Sequence, residues 1–216
     1  PAAAFSGVLS GREPGLPVKK EHLEMIPLFG SLCPDNVFAP PATALRLAKV
    51  TNYGEVYLKN LTERPAIVPL HLGYFQNAAQ NHALCASDII APKKTRFYSD
   101  ACCIQQAQGG YMDESDERFI VLPHTLRKRA LELAGKKNYG KLWPEIADFN
   151  RRLGLKHRGH LDELKRHFQP QLLRTVYYLE PHTAQTGALF LHKGEVIGIE
   201  LAPDAAFWSE LHIPLA

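Results

Sequence analysis

No stretch of eighteen apolar residues occurs anywhere in the 216-residue chain, so the sequence holds no membrane-spanning helix. There is no heptad register, no repeat and no low-complexity tract, which excludes a coiled coil, a solenoid and a disordered linker protein. Cysteine is scarce: four residues, two of them adjacent at Cys102 and Cys103. Neighbours in sequence are awkward to bridge, so a disulfide scaffold is excluded and a reducing, cytoplasmic setting is expected. The signatures of autonomous enzymes are missing too. There is no phosphate-binding P-loop, no G-x-G-x-x-G, no H-E-x-x-H and no G-x-S-x-G. The chain opens at Pro1 rather than methionine, which leaves room for a trimmed leader.

What is present is an ordinary globular composition, 45% hydrophobic and 22% charged. A chain of this length buries roughly 70% of its unfolded surface and folds without metals or cross-links. The formal charge of +3 is unevenly placed. From His124 to Phe168 there are twelve Lys/Arg against five Asp/Glu; elsewhere there are thirteen against seventeen. A basic, helical middle suits an acidic protein partner or a phosphate-bearing ligand, although solvated helix faces would give the same count. Nucleic acid and membrane are not expected as partners.

Residues 1–20 are rich in Gly, Pro and Ala and read as an extended arm or linker, with a single domain over 21–216. Leu23–Phe29 reads as an entry strand closed by Gly30. The alternation in Glu55–Lys59 and the run Pro65–Leu72 read as strands joined by a hairpin loop at 61–64. Ala83–Ala91 and Arg96–Gln105 read as a second pair. Three helices follow: His124–Ala134, Lys141–Leu153 with Pro144 in its first turn, and Leu161–Phe168 with Pro170 beyond its end. Leu173–Leu179 reads as a strand. Gly187–His192 and Glu195–Leu201 form a hairpin at Lys193-Gly194, and Pro203–Leu211 a short helix. The order predicts an α+β fold, a mostly antiparallel strand-rich core with a helical layer from residues 124–168.

Two clusters carry chemistry. Gln76, Asn77, Gln80, Asn81 and His82 crowd amide and imidazole groups between two strands, either to hold a polar ligand or to satisfy buried backbone groups. Cys102-Cys103-Ile104-Gln105 comes next, followed by Gly109-Gly110-Tyr111. A cysteine there becomes a nucleophile only if a base such as His71 or His82 lowers its pKa. Metal binding by some of His71, His82, Cys85, Cys102 and Cys103 lacks the usual ligand spacing, so no metal and no cofactor are assigned.

Taken in order, several short motifs resemble a bacterial family. They are Met25-Ile26-Pro27-Leu28, Val56-Tyr57-Leu58-Lys59-Asn60, Ala78-Ala79-Gln80-Asn81-His82, Cys103-Ile104-Gln105, Thr186-Gly187-Ala188-Leu189-Phe190 and Gly194-Glu195-Val196-Ile197-Gly198. The family is the first of the ARG and Rhodanese-Phosphatase-superfamily-associated Protein domains, where ARG denotes ADP-ribosylglycohydrolase. The resemblance implies a ligand-binding or accessory domain linked to NAD, ADP-ribose or nucleotide-related metabolism. Its ligand contacts would fall on Gln80, Asn81, His82, Cys103, Gln105 and Tyr111. The chain departs from the family's pattern at three places: His82 stands where arginine is usual, Gln105 where glutamate is usual, and Gly110-Tyr111 where Arg-Trp is usual. The alternatives are a structural or protein-interaction module, and a small hydrolase or metal-dependent enzyme using His82 or Cys103.

Overall fold

The computed structural model describes residues 7, 9–75, 80–107 and 118–215. Strand β3 (Leu23–Phe29) is the spine of the first sheet. On one side it pairs with β13 (Gln185–His192), which turns back as β14 (Glu195–Leu201). Its other edge takes β1 (Glu13–Pro14) and β2 (Val18–Lys20), so part of the segment expected as an arm is hydrogen-bonded to the sheet. The β13–β14 hairpin turns at Lys193-Gly194 as expected. Both residues have positive φ, 52° and 84°, the pattern of a type I′ turn, in which glycine is the strain-free choice for the second position.

The second sheet, β4 (Leu45–Asn52), β5 (Glu55–Asn60) and β10 (Thr95–Tyr98), has β5 at its centre. Strand β4 is unassigned in the sequence reading, because two register shifts, after Leu47 and after Val50, break its alternation. The expected hairpin between 55–59 and 65–72 does not form. Asn60, wholly buried, donates to the carbonyls of Arg64, Ile90 and Ala91 and accepts from the Thr62 N–H and hydroxyl. That Asx turn carries the chain out of the sheet, and Pro65 and Pro69 leave only β6 (Ala66–Val68) between them. It pairs with β9 (Asp88–Ile90) in a separate ribbon.

The expected pairing of 83–91 with 96–105 holds only at its outer ends. There β8 (His82–Ala83) faces β11 (Cys102–Cys103), while β9 and β10 diverge to different sheets. Strands β11, β8, β7 (Leu72–Phe75) and β12 (Arg118–Val121) form a four-stranded antiparallel sheet. Cys102 and Cys103, adjacent on β11, project to opposite faces; both are fully buried because both faces are covered.

Of the helices, α1 (Pro41–Ala44) is a single turn. Helices α2 (His124–Glu132) and α3 (Trp143–Arg152) bury Leu126, Ala130 and Ile146, with Leu142 just before α3, against Cys102 and Ile104. Helix α4 (Asp162–Tyr178) overturns two expectations: it runs through Pro170, and it covers the supposed strand 173–179. The reason is visible in its spacing. Leu164, Phe168, Leu172, Val176 and Leu179 continue one helical stripe at intervals of three to four, and Pro170 lies on the exposed side. Helix α5 (Ala205–Leu215) is capped by Asp204, whose carboxylate accepts the Phe207 N–H at 2.8 Å and the Asn36 N–H at 3.2 Å. Phe207, Trp208 and Leu211 pack it against Met25 and Ala188. The architecture is α+β, with antiparallel strands in several open sheets. No helix among the described residues is long and apolar enough to cross a membrane.

Candidate functional site

Strand β8 is an inner strand of the four-stranded sheet, with Tyr74 of β7 opposite His82 on one side and Cys103 of β11 opposite it on the other. An inner strand has its backbone groups taken up by neighbours. Beyond its last residues the ladder continues, the Leu84 N–H donating to Leu72 O at 2.7 Å and the Ile104 N–H to Asn81 O at 3.0 Å. Gln80, Asn81, His82, Cys103 and Gln105 are therefore brought together, and each is at least 97% buried. Tyr111, Gln76 and Asn77 lie outside the described residues.

The side chains in this cluster are joined to one another and to the backbone. The Asn81 amide nitrogen donates to Gln105 Oε1 across β8 and β11. His82 Nε2 lies 3.1 Å from the Gly54 N–H, and Nδ1 lies 3.0 Å from the Gln80 carbonyl oxygen. A backbone N–H can only donate, so Nε2 is the acceptor and the proton sits on Nδ1, which donates to Gln80. This fixes a single neutral tautomer. Burial pushes the imidazole pKa down to about 4, the Gln80 carbonyl opposing it only in part. Gly54, at φ 82°, presents its N–H to the ring from the β4–β5 turn and ties the second sheet to the third.

Cys103 also lacks the character of a nucleophile. Burial pushes its thiol up, against smaller opposing effects of the Gln105 backbone and the Trp143 indole. The thiol itself lies 3.6 Å from the Gln105 carbonyl. His71, the other base considered from the sequence, faces the Leu84 carbonyl at 3.4 Å and is held neutral by burial. No group of three His, Cys, Asp or Glu side chains that could hold a metal ion occurs among the described residues.

The structure adds residues that the sequence did not single out. Residues 105–106 are clamped from the far side by 158–161. Gln105 and His160 form an antiparallel bridge, the Gln106 N–H donates to Gly159 O at 2.6 Å, and the Gly159 N–H returns to Gln106 Oε1 at 2.9 Å. Asn150, wholly buried, holds this turn by donating to the carbonyls of Arg158 and His160. His160 donates from Nδ1 to the Gln106 carbonyl at 2.9 Å, which leaves Nε2 as the acceptor. Burial keeps this ring neutral as well, and among the described residues nothing pairs with Nε2. The only sequence signal for this turn was the glycine at 159 between two basic residues and a histidine.

At neutral pH the assembled set is thus uncharged: five amide side chains (Gln80, Asn81, Gln105, Gln106 and Asn150), two imidazoles and a thiol. It can fix hydrogen-bonding groups in place, and among the described residues two of its buried acceptors, His160 Nε2 and Asn150 Oδ1, have no partner. No curated protein matches the chain. No solved structure matches it either. A family model does, over residues 12–216, and it spans every element of the fold described above from β1 to α5. On that near-complete match, the chain belongs to the ARG and Rhodanese-Phosphatase-superfamily-associated Protein domain family.

Proposed function

We propose that this domain is an accessory module working beside enzymes of NAD, ADP-ribose or nucleotide-related metabolism, and that residues 80–82 and 103–105 hold its fold rather than perform bond chemistry. His82 carries the reading. Both ring nitrogens are committed to backbone partners, and the ring stays neutral down to about pH 4. A general acid or base needs a proton in play near the working pH and a path for substrate; His82 offers neither. The family name supports the metabolic setting by association only. In this role the basic stretch 124–168 would dock an acidic protein partner.

One observation favours a second reading, in which the same region binds a nucleotide-like ligand. A buried acceptor without a partner, such as His160 Nε2, is costly unless something fills the position. Thermal-shift titration with NAD and ADP-ribose separates the two. A specific binder at a hundred times its dissociation constant adds about 2.7 kcal/mol. No shift for the native chain, together with marked destabilisation by His82→Ala, supports the accessory role. A shift that His160→Ala abolishes, with unliganded stability lowered by no more than about 1–3 kcal/mol, the cost of its lost bond to Gln106, replaces it with ligand binding.

A further inference from the structure

The four cysteines are free thiols, yet two of them touch: Cys85 Sγ and Cys102 Sγ lie 3.1 Å apart, inside the contact distance of two sulfurs. Cys102 stands on β11, and Cys85 follows β8 by two residues, so the pair bridges adjacent strands diagonally. Both sit in the core formed by Leu126, Leu142 and Ile146, but Cys85 is followed directly by exposed Ala86 and Ser87, where the chain reaches the surface.

A second observation bears on the same spot. Lys141 is 92% buried, and its ammonium donates at 2.6 Å to two backbone carbonyls, those of Asp100 and Lys136. No carboxylate pairs with it among the described residues. The same Asp100 carbonyl lies 3.4 Å from the Cys85 sulfur, so the ammonium and the thiol share a partner, and the nearby positive charge favours a thiolate at Cys85. A buried cation without an anion is expensive, and a Cys85 thiolate would be its counter-charge.

We propose that Cys85 and Cys102 form a reversible dithiol–disulfide pair, with hydrogen peroxide as oxidant, Cys85 as the attacking sulfur and Cys102 as the resolving one. Electrostatics divides the roles in this way. The Cys102 thiol and the Lys141 ammonium stabilise a thiolate at Cys85 against the cost of burial and the opposing charge of Asp100, whereas Cys102 is driven up by its neighbour and by burial and keeps its proton. The Cys85 thiolate attacks one peroxide oxygen; the S–O bond forms, the O–O bond breaks, and the departing hydroxide takes a proton from solvent. Cys85 is then a sulfenic acid. Cys102 attacks that sulfur, the S–S bond forms, and the hydroxide leaves with the Cys102 proton as water. Two thiols and one peroxide become one disulfide and two waters. A small neutral oxidant suits a cysteine that is only 3% exposed. Cys33 is an internal control: it is more accessible, but burial and the charges of Asp204 and Asp35 raise its thiol.

The experiment treats the full reduced chain with a small excess of hydrogen peroxide at neutral pH, followed by non-reducing peptide mapping. The expected product is a Cys85–Cys102 cross-linked peptide, lighter by two hydrogens and restored by dithiothreitol, with Cys33 still alkylatable. Lys141→Met should slow the reaction about tenfold at neutral pH and move its pH profile upward. Cys102→Ser should stop at a dimedone-reactive sulfenic acid on Cys85. The inference is overturned if both thiols survive unmodified, if Cys33 is oxidised first, or if Cys85 goes to sulfinic acid without a cross-link. A folded Lys141→Met with the native rate and pH profile removes the ammonium from the scheme. Should either variant fail to fold, the native map still decides.

Discussion

At the scale of single residues, position 82 is defined by what it must accept. The Gly54 N–H is aimed at His82 Nε2 from another sheet, and the Gln80 carbonyl needs a donor on the other side. His82→Ala leaves both unpaired in the interior and should lower unfolding stability by about 1–3 kcal/mol in urea titrations. His82→Gln keeps an oxygen acceptor and a donor and should lose less. His82→Arg should lose more than either, because a guanidinium has five donors and nothing to offer the Gly54 N–H. Nor would Gln105→Glu rescue it in the way a simple pairing of the two positions suggests, since Gln105 Oε1 is engaged with Asn81 rather than with His82. An order of stability with arginine above alanine would show that the ring's acceptor role is not what holds this position.

At the scale of elements, helix α4 shows most clearly what the chain disclosed. Its Thr175-Val176-Tyr177-Tyr178 run has the β-branched and aromatic character of a strand, and Pro170 reads as a stop. The longer apolar period overrode both. Even so, none of its residues is fully buried, so the helix is lightly held. Pro170→Ala restores a missing N–H and removes a clash worth up to about 3 kcal/mol within the helix. The gain should appear as slower amide exchange over residues 171–178 with little change in melting temperature, because the C-terminal half opens locally rather than with the core. A melting point that rises by many degrees would mean the helix is coupled to the core. Elsewhere, strand β3, the hairpin at Lys193-Gly194 and helices α2 and α3 were legible because period and turn chemistry are local. The partners of β5 were not, because Asn60 decides them through bonds to residues thirty positions away. The site followed the same division. The residues of 80–82 and 103–105 could be singled out as an amide and thiol cluster, but Gly54, Asn150, His160, the Cys85–Cys102 contact and the burial of Lys141 depend on how the sheets and helices pack.

At the scale of the whole molecule, four buried histidines make the fold sensitive to acid. His71 and His82 lie against the third sheet, His160 in the clamp on residues 105–106, and His212 beneath Trp208 on α5. In each, burial is the largest cause of a lowered pKa, and in each a nearby backbone carbonyl opposes it without winning. The sign follows from which state holds the proton. Above the ordinary imidazole value of about 6.5, folded and unfolded chains both carry neutral rings, and stability is complete. As pH falls below it, the unfolded chain takes up protons that the folded chain refuses, so stability drops. For His82 the drop ends near pH 4, where the folded ring also titrates. That interval corresponds to about 3 kcal/mol from this residue alone, as an upper figure. Urea titrations at a series of pH values between 7.5 and 4 should show stability falling with a slope of more than one proton below pH 6.5, and His82→Gln should flatten it by close to one. Carboxylates, which titrate lower, would put the fall nearer pH 4 and leave the His82→Gln curve parallel to the native one. That result would mean the buried rings do not control the acid response.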